Sequence, residues 1–215
     1  MSRNTKTLAQ YYQQGEIEVG IDEAGRGCLF GPVCVAAVIW LEKDPREDIV
    51  IKDSKRYSEK KRHQCAEYIQ EYCPYYSVQM ISNEEIDSTN ILQATLKGMH
   101  QCLDDICEKT KVDTILVDGT QFKPYYCSQT DEFLNYHCVV KGDDTFKSIA
   151  AASVLAKTFR DNYIKSLVQE HPELEKYGLL NHKGYGTKAH MEAIKTYGIT
   201  PWHRKSFEPC KSMVH

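Results

Sequence analysis

The stretch VGIDEAGRGCLFGPV, residues 19–33, begins as a strand and then stops being one. Upstream, EIEVGID alternates Ile17, Val19 and Ile21 with other residues, the period-2 pattern of a strand with one buried face. The climb ends on two adjacent acids, Asp22 and Glu23, and Gly25, Gly27 and Gly31 follow, with Arg26 between the first two. Next comes PVCVAAVIW, residues 32–40, a continuous apolar run whose length and β-branched content predict a buried strand. The glycine-rich link is too short for a helical crossover, so the two strands are expected to be antiparallel.

Outward from this pair the chain alternates strands and helices. Ser58 is placed to cap a helix running to about Tyr72, with Cys65, Tyr68, Ile69 and Tyr72 on one face and Pro74 ending it. YYSVQMI predicts a third strand, NEEID a short helix, and residues 90–108 a longer helix with Leu92, Leu96, Met99, Leu103 and Ile106 inward. DTILVDG predicts a fourth strand ending at Asp118, and YHCVVKGDD a fifth ending near Asp143 and Asp144. A long helix then starts near Ile149 and turns Ile149, Ala152, Ala156, Phe159, Tyr163 and Leu167 inward. Residues 188–197 read as helix and the tail as irregular or a short helix. Repeats and low-complexity linkers are absent, so one domain over 1–215 is expected, with polar residues 1–15 as a loosely ordered extension.

The composition is that of an ordinary globular chain: 215 residues, 27% charged and 41% hydrophobic. A net charge of −3 argues against a protein that coats nucleic acid indiscriminately, but it leaves room for a local basic groove. The nine cysteines are odd in number and form no CxxC pair, which predicts reduced core thiols rather than zinc ligands or a disulfide framework. The N-terminus carries no apolar signal segment, and no run approaches the ~20 apolar residues of a membrane span. A cytoplasmic protein, monomeric and without a membrane partner, is expected.

Three predicted strands run into acid: Asp22 with Glu23, Asp118, and Asp143 with Asp144. Alone, each reads as a turn or helix cap. Together, in an α/β sheet whose functional groups gather at strand ends, they read as a site. Carboxylates at close range raise one another's pKa values and call for cations. Hard oxygen donors favour Mg²⁺ or Mn²⁺ over zinc. Two such ions balance four carboxylates and, at ~4 Å separation, are a known device for in-line phosphoryl displacement. Sequence spacing alone does not choose between Asp143 and Asp144 as the fourth acid.

The chain resembles the ribonuclease HII family from about Val19 to Lys211. The segments are GIDEAGRG (20–27), DSK (53–55), NILQAT (90–95), LVDG (116–119), VVKGDDTFKSIAAASVLAKTFRD (139–161), HKGYGT (182–187) and HRKSF (203–207). The resemblance implies a ribonuclease H-like α/β fold: a five-stranded mixed sheet, its first three strands antiparallel, flanked by helices, with a helical C-terminal part. It implies an endonuclease that cuts the RNA strand of RNA–DNA hybrids and incises 5′ to ribonucleotides embedded in duplex DNA, leaving 3′-OH and 5′-phosphate ends. It assigns catalysis and two divalent ions to Asp22, Glu23, Asp118 and Asp143. Asp143 is chosen because the family's acid directly follows the glycine of KGD at the spacing that Gly142 keeps to Ile149. Asp144 is then an extra neighbour.

Substrate contacts are implied at Gly25, Arg26 and Gly27, whose backbone would meet the 2′-OH and a neighbouring phosphate, and at Ser54, Lys55, His182, Arg204 and Ser206. The 2′-OH distinguishes RNA as both donor and acceptor, and glycine lets a backbone approach it. Arg26 can fork onto phosphate. Tyr185 resembles the family's junction-sensing tyrosine, stacking on the sugar of the next deoxynucleotide. Lys147, Lys157, Arg160 and Lys205 are further candidates for phosphate, with Lys157 or Arg160 alternatively bracing the site. One segment departs from the family: Lys52 stands where Asn-Asp-Ser-Lys usually begins, replacing an asparagine contact by a charge. The sister family, ribonuclease HIII, typically has lysine for Arg26 and an added N-terminal domain, whereas only 21 residues precede Asp22 here. The rival readings are another polynucleotidyl transferase of this fold and a non-catalytic binding module. GRG with HKGYGT disfavours the first, and the full set of acids disfavours the second.

Overall fold

The computed structural model describes residues 7–40 and 57–213. Ser54 and Lys55, with Lys52, lie outside the described residues. Strands β1 (Glu18–Ala24) and β2 (Val33–Ile39) form the antiparallel pair read from the opening stretch, with Asp22 opposite Ala36. Helix α1 (Glu59–Tyr72) begins at Ser58, whose side chain accepts from the Lys61 N–H. Strand β3 (Tyr76–Ile81), helices α2 (Asn83–Ser88) and α3 (Ile91–Cys107), and strand β4 (Thr114–Asp118) follow. A small hairpin, β5 (Tyr126–Cys127) with β6 (Glu132–Phe133), precedes β7 (Asn135–Val139). Helix α4 (Lys147–Glu170), short α5 (Leu179–His182) and α6 (Lys188–Tyr197) complete the chain.

The sheet order is β3-β2-β1-β4-β7. The first three strands are antiparallel, and β4 and β7 run parallel to β1 and to each other. Pleating sends alternate side chains to opposite faces. Val19, Ile21, Val35 and Ala37 pack with Leu96, Met99, Leu103 and Ile106 of α3. Cys34, Ala36 and Val38 pack on the other face with α4 and α1. Gly20 lies on the α4 face. A Cβ there would stand 2.3 Å from the Ser148 carbonyl carbon and 2.4 Å from the Ile149 nitrogen, so the first turn of α4 rests directly on the strand backbone.

Two expectations change. Ile17 lies before β1 and is 38% exposed, so Val19 and Ile21 alone anchor the strand. Residues 8–13 are tied down rather than loose. Leu8 is buried, Ala9 bridges to Phe146, and the Tyr12 ring stacks on His137 with centroids 4.3 Å apart. The Glu18 carboxylate accepts from the Tyr12 and Gln13 backbone N–H groups. Phe146 and His137 lie far along the chain, which is why polarity alone suggested fraying. The nine cysteines are all free thiols, eight of them buried. Among the described residues, no helix is long and apolar enough to cross a membrane.

Candidate active site

Asp22 and Glu23 lie inside β1, not beyond it, because pairing with β2 continues through Ala24 opposite Cys34. Ile21 pairs with Val117 at the end of the parallel ladder, so one step further Asp22 of β1 and Asp118, the last residue of β4, come next to each other. Leu116, two residues before Asp118, packs on Ile149 of α4. Asp22 and Asp118 therefore share the α4 face of the pleat. Asp118 Oδ1 accepts from the Gly142 N–H at 2.7 Å, which ties it to the 3-10 turn Gly142–Asp144 and brings Asp143 alongside. Asp143 is buried, whereas Asp144 is half-exposed.

Burial raises the Asp22 carboxyl well above the usual range, and the charges of Glu23 and Asp118 push it the same way; a Ser153 hydrogen bond opposes them. Glu23 is raised too, first by burial, with Arg26 opposing. The Arg26 guanidinium is 3.4 Å from Glu23 and donates to Gln121 Oε1 at 3.0 Å. Among the described residues, no three Asp, Glu, Cys or His side chains form a ready-made ion sphere. The donor set nevertheless suits a hard divalent cation: it offers oxygen donors alone, and Asp22 and Glu23 are raised by burial and then by neighbouring carboxylates, a cost that such a charge relieves.

Beside the acids lies the glycine loop. Gly25 has φ +87°, and a Cβ on it would stand 1.9 Å from Arg160 Nε. Inward packing against Arg160 by itself requires glycine here. A Cβ on Gly27 meets nothing within 4 Å, so this backbone is open to an approaching ligand.

Arg160 and Arg204, two of the proposed phosphate contacts, are fully buried. Arg160 donates to the carbonyl oxygens of Pro32 (3.0 Å), Phe30 (2.9 Å) and Lys183 (2.8 Å). Arg204 donates to those of Gly31 and Arg26, both at 2.9 Å. They brace the loop instead of reaching solvent. Ser206 donates through its hydroxyl and its N–H to Asp87, which also accepts from the Lys205 N–H. Lys147 lies over the Trp40 ring at 5.7 Å.

Tyr185 is brought to this loop by a backbone bridge to Cys28 and is 41% exposed. Its hydroxyl lies in hydrogen-bond contact with the Cys28 thiol, and burial pushes the phenol up. Lys157 stands 5.5 Å from the ring centroid and is paired with Asp161 at 3.0 Å. His182 has both ring nitrogens engaged by backbone, at Tyr177 O and Gly184 N, so it shapes the loop rather than facing substrate.

Sequence reading missed Ser153, Gln121, Cys28, His190 and His203. Ser153, the one hydroxyl ending the run Ala150-Ala151-Ala152, was the most findable; the others gain meaning only from distant partners. His190 and His203 are fully buried behind Tyr185, and burial lowers them to about 4 and about 3. His182, Tyr177 and Tyr185 face them, and none supplies a carboxylate. Below the ordinary histidine value of ~6.5 the unfolded chain binds protons that the native rings refuse, so this contribution to stability is full above ~6.5 and shrinks as pH falls. The melting midpoint is expected to fall between about pH 7.5 and about pH 5 by more in the parent than in His203→Gln. Thermal melts of both proteins at the two pH values check this; an equal fall would count against two neutral buried rings.

A family model described as Ribonuclease HII matches residues 19–210. A protein named ribonuclease HII from Parabacteroides distasonis is 46% identical over 200 residues, which is 93% of this chain and 94% of that one. The crystal structure of ribonuclease H2 from Pyrococcus horikoshii OT3 matches with TM-score 0.73 and 24% identity, over 91% of this chain and 96% of that one. A crystal structure titled as Bst-RNase HIII in complex with Mn²⁺ matches with TM-score 0.71 and 23% identity, over 94% of this chain and 70% of that one.

Proposed function

We propose, from the premise that the chain belongs to the ribonuclease HII family, that it removes single ribonucleotides from duplex DNA as well as cutting hybrids. Membership makes it a metal-dependent hydrolase with the ribonuclease H-like fold, acting as an endonuclease on RNA–DNA hybrids. The finer reading is incision 5′ to an embedded ribonucleotide, leaving 3′-OH and 5′-phosphate ends. The observation that carries it is the placement of buried Asp22, its carboxyl raised first by burial, next to Asp118 on one face of the sheet, on the strand that leads into the open Gly27 backbone.

Asp22, Glu23, Asp118 and Asp143 would hold two ions, Mg²⁺ or Mn²⁺. When bound, such ions supply an activated water and stabilise the leaving oxygen. The chain's own residues do the rest. Ser153 holds Asp22 and the Gly142 N–H holds Asp118, which fixes both carboxylates before substrate arrives. Arg26, bridging Glu23 and Gln121, is placed to transfer to a phosphate. Gly25, Arg26 and Gly27 meet the 2′-OH through their backbone, on a loop fixed by Arg160 and Arg204. The protein is read as an intracellular monomer, a reading that fits nine free thiols.

Incubation with Mg²⁺ and a duplex holding one ribonucleotide, beside an all-DNA duplex, tests the assignment. Cleavage of the first alone is expected, at the 5′ side of the ribonucleotide. Tyr185→Ala is expected to lower single-ribonucleotide incision ~10-fold or more relative to cutting of a long hybrid, because a stacking ring contributes ~1–3 kcal/mol per base. Equal loss on both substrates would remove Tyr185 from junction sensing.

A further inference from the structure

Behind Tyr185 the hydrogen bonds run in a direction that their atoms dictate. The Thr200 N–H donates to His203 Nδ1 at 2.9 Å, so that nitrogen is an acceptor and the ring proton sits on Nε2. His203 Nε2 lies 3.3 Å from His190 Nε2. At the far side of the second ring, His190 Nδ1 is 3.0 Å from the Tyr185 carbonyl oxygen, which can only accept. His190 therefore carries its proton on Nδ1 and accepts from His203 at Nε2. With both rings neutral, this assignment satisfies the Thr200 N–H, inter-ring and Tyr185 contacts together, and the Thr200 hydroxyl, 2.8 Å from the same His203 Nδ1, then donates to it as well. A third proton would set two donors against each other, at Thr200 or between the imidazoles. His182 stacks on His190 with centroids 4.5 Å apart, which fixes the ring plane.

The relay ends on the residue whose ring would read the substrate. The Tyr185 carbonyl accepts from His190 and from the Thr187 N–H at 2.8 Å, and its own N–H donates to the His182 carbonyl at 3.0 Å. Both peptide planes flanking the ring are thereby fixed, and the bridge to Cys28 sets them against the glycine loop. We infer that His190 and His203 are positioning residues for ribonucleotide recognition, holding Tyr185 by a relay of fixed direction from Thr200. This rests on the reading of Tyr185 as the junction-sensing residue.

The test uses the full chain with Mg²⁺ and two substrates, a duplex with one ribonucleotide and a long hybrid. His190→Phe keeps an aromatic ring but removes the donor to Tyr185. It is expected to lower the ratio of single-ribonucleotide to hybrid cleavage ~10-fold or more, since small misplacements at a reacting geometry reach ~100-fold. His190→Asn, whose amide nitrogen falls near the position of Nδ1, is expected to recover most of that ratio. In a Tyr185→Ala background, His190→Phe is expected to change the ratio no further. A full additional loss there, or equal loss on both substrates, would overturn the inference while leaving the role of Tyr185 standing. An unchanged ratio in Tyr185→Ala alone would instead remove the reading on which it rests. Should His190→Phe fail to fold, the unmodified protein still decides. Its ¹⁵N histidine spectrum is expected to show one ring protonated at Nδ1 alone and another at Nε2 alone, both unmoved down to about pH 5. Titration of either ring near the ordinary histidine value of ~6.5 would sink the relay.

Discussion

Asp22→Asn is expected to abolish cleavage of every substrate, with the fold intact. The carboxylate sits beside Asp118 on the α4 face, where it would hold a divalent ion. Several kcal/mol of charge stabilisation at the reacting phosphate depends on such ions. At ~1.4 kcal/mol per factor of ten, the loss is about a thousandfold or more. An amide oxygen still accepts from Ser153, and the substitution removes repulsion with Glu23 and Asp118. The melting midpoint without divalent ions should accordingly be no lower than the parent's. Cleavage assays under Mg²⁺ and under Mn²⁺, beside thermal melts in a chelator, read both halves. Cleavage at the parental rate would sink the metal assignment, and an unfolded variant would show that Asp22 serves the core instead.

Gly25→Ala is expected to cost cleavage and stability together, with the four acids untouched. The new Cβ would stand 1.9 Å from Arg160 Nε and 2.4 Å from its Cδ. Arg160 cannot retreat without leaving three buried carbonyl oxygens short of a donor, at ~1–3 kcal/mol each. The φ of +87° adds ~1–2 kcal/mol for a residue with a side chain. A loss of ~4 kcal/mol or more corresponds to roughly 10 °C or more in melting midpoint for a chain of this size. Gly27→Ala is the informative partner. Nothing lies within 4 Å of its Cβ, so its midpoint should stay near the parent's while KM for a ribonucleotide-containing duplex rises. Equal destabilisation by both substitutions would mean that the loop is rigid throughout and that Gly27 has no reserved approach.

The parts of this arrangement that are local in sequence were legible there. An apolar run that ends in Asp22-Glu23, and another that ends in Asp118-Gly119, carry both the strand and its acid in a few residues. Period-2 and period-3.6 patterns placed the sheet strands and the longer helices because each buries one face. The supports of the substrate loop were not legible. Arg160 and Arg204 read as candidate phosphate contacts, Arg160 alternatively as a brace for the site, and neither as fully buried, since arginine rarely is. Their acceptors are backbone carbonyls 128 and 178 residues away, and a carbonyl leaves no mark in a sequence. His190 and His203 likewise acquire direction only from Thr200 and Tyr185 in space. The hairpin β5–β6 has two residues in each strand, too few to show a period.

The chain order of these parts has a consequence for the protein as it is made. Asp22, Glu23, Asp118 and Asp143 all precede α4, whereas Arg160, Tyr185, His190, His203 and Arg204 follow its start. Synthesis runs from the N-terminus, so the acids emerge well before anything that holds residues 25–31 in place. Helix α4 must also settle on Gly20 before Ser153 can reach Asp22. A chain that ends ahead of Arg160 would hold all four acids but neither of the arginines that donate to the carbonyls of residues 26–32. If the proposed roles hold, substrate choice would be the last property that the growing polypeptide acquires.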